Sequence, residues 1–365
     1  MTTNKDNSKT TTKPKFKKYP SIENDYREDF MKKVYESIDY YHFKRRQQQS
    51  SVDTVATRDE NPPDDGEIEW VSTEKVHGSN FSFIITGDGG DLDHGADMGD
   101  DDNDDTKGIS IAVGKRSGIL EVGDVFFPGA VAAVRPRYES ACRRAFRLLA
   151  KQFSESDARS FRVTQVVVFG ELFGGRYGYQ KHAANRVVPI QKEVHYCEGF
   201  DFYAFDVFVS GPWKQEKQAS GGQSGASDVD VDIGSGGDGG DGGDDGTSKT
   251  TVGTAWLTFD EACQLFESAG FTVYSKALNR GKLSTLMASD VNFNSKIPEM
   301  FYPHLAALPD GTNICEGIVI RPANVLLYLA TGDRVVIKKK NARFLETSKA
   351  VNKNDKKDAS TPPMP

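Results

Sequence analysis

Apolar positions along this chain follow two rhythms. Phe30, Val34 and Ile38 recur at helical spacing among charged neighbours, and that spacing predicts a helix over residues 23–47. Residues 258–269 predict a second helix. Elsewhere the apolar residues come in short runs. Trp70-Val71, Phe81–Ile85, Ile109–Val113, Val163–Phe169, Tyr203–Val209 and Val335–Ile337 read as strands. Residues 48–66, with Pro62-Pro63 and Asp64-Asp65-Gly66, read as a loop. Gly174, Gly175 and Gly178 read as a turn. There is no internal repeat and no strand–glycine–helix phosphate fingerprint. The pattern is α+β, with antiparallel hairpins.

Two stretches break the pattern. Residues 87–107 lie between strands and read as the inserted tip of a hairpin, where little backbone is buried. Residues 214–250 are a Gly/Ser/Asp-rich insertion with too few apolar residues to build a core. Its Gly-Gly-Asp repeats do not space ligands as a calcium loop does. Residues 1–16 read as a disordered basic tail, 17–345 as one domain carrying both insertions, and 346–365 as a second tail.

Charge changes meaning once it is located. The formal net charge of the 365-residue chain is −7. Residues 87–107 hold nine Asp against one Lys, and 214–250 hold eight acids against three Lys. Residues 1–18 hold six Lys against one Asp. What remains is near neutral, so any nucleic-acid surface on it is a local patch and not a global field. Cys142, Cys197, Cys263 and Cys315 have no metal-ligand spacing and read as reduced thiols of an intracellular protein. No apolar run is long enough to span a bilayer, and the N-terminus lacks the apolar core of a signal peptide.

Five segments carry chemistry, in order. The first is Glu74-Lys75-Val76-His77-Gly78-Ser79-Asn80-Phe81, which contains Lys-x-x-Gly. There a lysine can attack the α-phosphate of a nucleoside triphosphate and keep the nucleotide as a phosphoramidate. The others are Gly114-Lys115-Arg116-Ser117-Gly118, Phe169–Gly175, Cys315–Ile320 and Val336–Asn341. A protonated lysine cannot attack phosphorus, and nearby cations favour its neutral form. Lys338 and Lys340, alternating on a strand, share a face and are the candidates for those cations. Lys339 is expected on the other side, facing solvent.

Together the five segments resemble the covalent nucleotidyltransferases: DNA ligases, RNA ligases and capping enzymes. The His77 context, Lys17-Lys18-Tyr19-Pro20-Ser21-Ile22-Glu23-Asn24 and Asp201–Val207 narrow the resemblance to the RNA ligase 2 family, over roughly residues 17–345. The resemblance implies antiparallel sheets with flanking helices and a nucleotide bound between the sheets. It implies an ATP-dependent RNA ligase that seals 3′-hydroxyl and 5′-phosphate ends through lysyl-AMP, with Mg²⁺. Lys75 would be the nucleophile, and Lys338 and Lys340 would neutralise the triphosphate. Arg116 would contact phosphate and the substrate end, with Lys115 the weaker candidate. Glu171 would accept from the ribose hydroxyls, Phe205 would stack on adenine, and Asn80 would lie near the phosphates. Glu316 would hold magnesium through water. His77 would act in nucleotidyl transfer or end joining, and Glu74 would help place the adenine edge, partly through its backbone. RNA ends in a nicked duplex would be the partner. Capping-type or DNA-ligase-type transfer and a non-ligating RNA-end scaffold are the alternatives.

One departure stands out. Phage-type members carry a further domain after the last lysine motif, whereas only about 25 residues follow Lys340. A protein partner supplying duplex binding in trans, a self-sufficient domain and a shortened form remain open at this point.

Overall fold

The structure, a computed structural model, describes residues 14–52, 68–87, 108–121, 124, 126–127, 129–156, 161–178, 188–213 and 252–345. The inserted stretches 88–107 and 214–250, and the tails 1–13 and 346–365, lie outside the described residues.

Two sheets form the framework. The first has the order β1 (Glu23–Asn24), β11 (Ile337–Lys340), β10 (Gly317–Pro322), β2 (Trp70–Glu74), β9 (Asn279–Gly281). The second has the order β5 (Gly118–Ile119), β4 (Ile109–Lys115), β3 (Ser79–Gly87), β6 (Gln165–Arg176), β7 (Cys197–Pro212), β8 (Val252–Trp256). Every pairing is antiparallel except β1 on β11. The α+β class is as expected.

Helices cover the outer faces. α1 (Glu28–Val52) lays Phe30, Met31 and Val34 on the first sheet, together with Leu283 and Leu286 of α4 (Leu283–Ala288). α2 (Ala130–Glu155) covers the second sheet. It buries Val134, Tyr138, Ala141, Ala145, Leu149 and Phe153 at helical spacing against Phe83, Val166, Val168 and Phe202. α3 (Phe259–Ala269) packs beside it. Thr258 caps α3 by accepting from the Glu261 N–H at 3.2 Å, and the Glu261 carboxylate accepts the Thr258 N–H at 2.8 Å. Such a reciprocal cap contributes about 1 kcal/mol. α5 (Ile297–Phe301) is short and lies next to the junction of the sheets.

Several boundaries differ from expectation. The first helix begins at Glu28, not residue 23, because Glu23 and Asn24 pair with Ile337 and Lys338. It runs on through Val52, so residues 48–52 are helical and not loop, while 53–66 lie outside the described residues. Gly174 and Gly175 lie inside β6, at a register shift with φ of 91° and 87°, and only Gly178 is a turn. The basic tail ends sooner than residue 16. The Lys15 N–H donates to Gln165 Oε1 at 2.8 Å, and the Gln165 amide returns a bond to the Lys15 carbonyl at 3.0 Å.

Candidate active site

Residues Lys75–Gly78 carry the chain from β2 of the first sheet to β3 of the second. The crossing is held at its start by the Lys75 N–H, which donates to the Gly317 carbonyl at 2.9 Å. It lies so close to β6 that a Cβ on Gly78 would stand 2.3 Å from the Leu172 carbonyl oxygen. This explains the glycine of Lys-x-x-Gly: any side chain there would push the Lys75–Gly78 loop off the sheet. Gly317 serves the same end from the other side. Its φ is 147°, and a Cβ would meet the Lys339 carbonyl at 2.1 Å.

Three cationic or proton-bearing side chains converge on Glu316. Its Oε2 lies 2.8 Å from Lys75 Nζ and 3.0 Å from His77 Nδ1, and its Oε1 lies 3.2 Å from Lys340 Nζ. Burial by itself pushes this carboxyl up. The hydrogen bond from His77 and the Lys75 ammonium overturn that and hold it down at about 2. The expected cationic surroundings of Lys75 are therefore bridged by a carboxylate, which stands between it and Lys340. Lys338 lies half-buried two residues back on the same strand, paired with Val319. Lys339 does point the other way, but it does not face solvent. Its ammonium donates to the Met287 carbonyl and, at 2.8 Å, to the Ser289 carbonyl, at the C-terminal end of α4 where helix carbonyls lack partners.

The second sheet supplies the remaining candidates. Asn80 on β3 is the direct cross-strand partner of Glu171 on β6. Burial pushes the Glu171 carboxyl up to about 8, helped by the Glu316 charge and opposed by Lys75, the Gly78 N–H and Arg116. Arg116 is exposed in the tight turn between β4 and β5, and Lys115 lies 3.4 Å from Asp124. Phe205 occupies a bulge. On β6, Phe169 pairs with Asp206 and Gly170 with Ala204, so Phe205 is the extra residue with no partner. A bulge re-aims a side chain, and the half-buried Phe205 ring meets Tyr19 edge-on at 5.1 Å.

The Glu74 side chain is already engaged. Its carboxylate is buried, accepting from Ser295 Oγ at 2.6 Å and the Lys296 N–H at 2.7 Å, and burial pushes it up to about 7. The side chain ties β2 to the segment entering α5, which leaves only its backbone for a nucleotide.

A second knot went unnamed in the sequence reading, although Tyr19 and Asp206 stand in segments it singled out. Asp206 is fully buried. It takes a bidentate bond from Arg334, a contact from Arg321 at 3.4 Å and the Tyr19 hydroxyl at 2.9 Å. Burial pushes Asp206 up, and the two guanidinium groups more than reverse it, leaving the carboxyl below its ordinary range. Arg334 also stacks on Trp256 at 3.7 Å, and Arg321 donates to the Phe205 carbonyl at 2.6 Å. Arg334 Nε is buried without a hydrogen-bond partner, a spare donor beside the bulge. The only signal for these arginines in the sequence was their lying in or next to apolar strands.

The arrangement suits a nucleotide with its charged end toward Lys75, Lys340 and Arg116 and its flat end toward Phe205. It suits magnesium held through water better than direct ligation. Among the described residues, no three His, Cys, Asp or Glu converge as ligands, and the oxygens of Glu316 are already taken by ammonium and imidazole.

A two-sheet α+β frame with a lysine loop crossing between the sheets defines a nucleotidyltransferase-type ligase domain. A model of the RNA ligase family matches residues 68–340, and the chain belongs to that family. Among curated proteins it is similar to RNA-editing ligase 1, mitochondrial, of Trypanosoma brucei brucei, at 26% identity over 270 residues, covering 69% of this chain and 44% of that protein. It is also similar to RNA-editing ligase 2, mitochondrial, of the same organism (strain 927/4 GUTat10.1), at 25% over 271 residues, covering 70% and 49%. The chain thus spans less than half the length of these relatives. No described helix is long and apolar enough to cross a membrane.

Proposed function

We propose that this protein is an ATP-dependent RNA ligase that joins a 3′-hydroxyl to a 5′-phosphate, most readily at a nick in duplex RNA. The observation that carries the reading is the convergence of Lys75, His77 and Lys340 on the buried carboxylate of Glu316. The relatives' names, RNA-editing ligases, supply the substrate class.

Lys75 Nζ, once deprotonated, forms a bond to the α-phosphorus of ATP, and the bond to pyrophosphate breaks. Lys338, Lys340 and Arg116 offset the charge that develops on the phosphates, which is electrostatic stabilisation of the transition state. Glu171 accepts from the ribose hydroxyls, and Phe205 stacks on the base. Asn80 lies near the phosphates, and the Glu74 backbone borders the base edge. Glu316 would hold magnesium through water, and the ion would supply charge neutralisation there. The adenylyl group then passes to an RNA 5′-phosphate, and a 3′-hydroxyl displaces AMP. All three steps are in-line transfers, so positioning carries much of the rate.

The test is incubation with α-labelled ATP and magnesium, alongside Lys75→Ala, followed by a chase with nicked duplex RNA. Label on wild type alone, moving to the 5′ end and then lost on sealing, supports the reading. Label that forms but stalls assigns duplex engagement to a partner protein. No label with ATP, or label only with GTP, rejects the reading in favour of a scaffold or a capping-type enzyme.

A further inference from the structure

A short segment outside the five motifs holds the nucleophile loop. Residues 190–196 lead into β7, and three of their side chains reach residues 77 and 78. Gln191 Nε2 donates to the Gly78 carbonyl at 3.0 Å. The Tyr196 hydroxyl accepts the His77 N–H at 2.7 Å. Glu193 Oε2 lies 3.2 Å from His77 Nε2. This strap is itself anchored. The Ile190 N–H donates to the Gly174 carbonyl at 3.2 Å. The Asn313 side chain binds both the N–H and the carbonyl of His195, each at 2.8 Å. Val194 and Tyr196 are buried, with the Tyr196 ring edge-on to Phe173 at 5.3 Å.

Glu193 differs from its neighbours on the strap. Its side chain is half exposed, and no core packing requires a carboxylate there. Its Oε2 accepts the Lys192 N–H at 3.1 Å and meets the second nitrogen of a ring whose first nitrogen faces Glu316. The His77 imidazole therefore spans two carboxylates. The outer carboxylate thus decides which way the ring faces. Glu316 Oε2 is also shared with Lys75. When Lys75 carries an adenylyl group it is no longer an ammonium, and His77 and Lys340 are left to hold that carboxylate. The direction of the His77 ring then matters most.

We propose that Glu193 is a positioning residue that fixes the His77 ring, with Nδ1 toward Glu316, while the adenylyl group passes from Lys75 to an RNA 5′-phosphate. The inference rests on the ligase reading above. In that transfer a 5′-phosphate oxygen forms a bond to the α-phosphorus and the phosphorus–nitrogen bond breaks. The electron pair returns to Lys75 Nζ, which takes up two protons from solvent to become an ammonium and pairs again with Glu316.

The experiment compares wild type, Glu193→Ala and Glu193→Gln in two single-turnover measurements. One is labelling of the protein by α-labelled ATP. The other is passage of label from pre-labelled protein to a 5′-phosphorylated nicked RNA duplex. For Glu193→Ala, labelling should stay within about twofold of wild type while transfer falls on the order of 10–100-fold, as for a misplaced catalytic group. Glu193→Gln should restore most of the transfer, because its amide oxygen still accepts from Nε2–H. Transfer at the wild-type rate in Glu193→Ala overturns the proposal. So does a matched loss of both steps together with a lower melting temperature, or a Glu193→Gln variant as slow as Glu193→Ala. A wild type that takes label but never passes it on also overturns it, while leaving the lysyl step intact. A wild type that takes no label rejects the ligase reading itself.

Discussion

Glu316 and Asp206 are two buried carboxylates solved in opposite ways. Each is surrounded by positive charge that holds it ionised against burial. At Asp206 the cations are two arginines, 6% and 8% exposed, aided by the Tyr19 hydroxyl. At Glu316 they are two lysines, 22% and 15% exposed, with a histidine. Arginine stays charged and binds through a fixed fork, whereas lysine is a point charge on a flexible stem that can give up a proton. The arginine knot therefore has one stable state, and it welds Asp206 and the Phe205 carbonyl on β7 of the second sheet to Arg321 on β10 of the first and to Arg334 just before β11. The lysine knot can exchange partners, as the proposed bond-making at Lys75 requires. Charge type and exposure, not the presence of a buried ion pair, separate structure from chemistry here.

The largest effect should come from breaking the arginine knot. Asp206→Ala leaves two guanidinium groups buried without their counter-ion, and loss of one partner of a buried pair costs about 3–5 kcal/mol. Thermal denaturation should show a fall of roughly 2–4 °C for each kcal/mol. A variant that melts with wild type would mean that Arg334 and Arg321 find other acceptors, and the welding role would fail.

Glu316→Gln should invert that outcome. The amide still accepts from Lys75 and His77 but carries no charge, so the fold should lose less than about 1–2 kcal/mol. Covalent labelling with α-labelled ATP should drop on the order of 10²–10³-fold, the range for removing one electrostatic group from a phosphoryl-transfer site. If melting falls further than in Asp206→Ala while labelling persists, the two carboxylates have been assigned the wrong way round.

Arg334→Lys sharpens the same contrast. A lysine keeps the charge near Asp206 but loses the bidentate bond and the stacking on Trp256. A loss of about 1–2 kcal/mol in denaturant titration is expected, smaller than for Asp206→Ala. An unchanged midpoint would show that charge alone suffices at this end.

The sequence was most legible where chemistry demands fixed residue types. Lys75, His77, Glu171, Glu316, Lys338 and Lys340 sit in short motifs; the structure brings Lys75, His77, Glu171, Glu316 and Lys340 together, with Lys338 two residues back on the same strand. Strand alternation correctly separated Lys339 from its neighbours. It could not show that the far side ends on carbonyls of α4, because that partner lies about 50 residues away. α2 went unread: Pro136 lies within it, a residue that usually ends helices, and arginines are interspersed with its apolar stripe. β1 was read as the start of a helix, since its two residues are strand only through pairing with β11. The strap at 190–196 has no periodicity at all. Its roles come from which atoms it meets, which only the folded chain brings together.

The smallest effect concerns pH. Glu171 is pushed up to about 8 and Glu74 to about 7, mainly by burial. A carboxyl whose folded value is raised binds its proton more tightly in the native state than in the unfolded one. Its contribution is therefore present at acid pH and is lost as pH rises from the ordinary carboxylate range through about 7 and 8. Glu171→Gln removes one of these two groups from titration. In nucleotide-free protein it should leave the melting temperature near wild type at pH 5 and raise it by a few degrees at pH 9, with a weaker response to nucleotide at both. If the variant instead melts lower at pH 9 than at pH 5 by the same margin as wild type, burial of Glu171 is not what sets its proton affinity. The slope would then belong to Glu74, held by Ser295 and the Lys296 N–H.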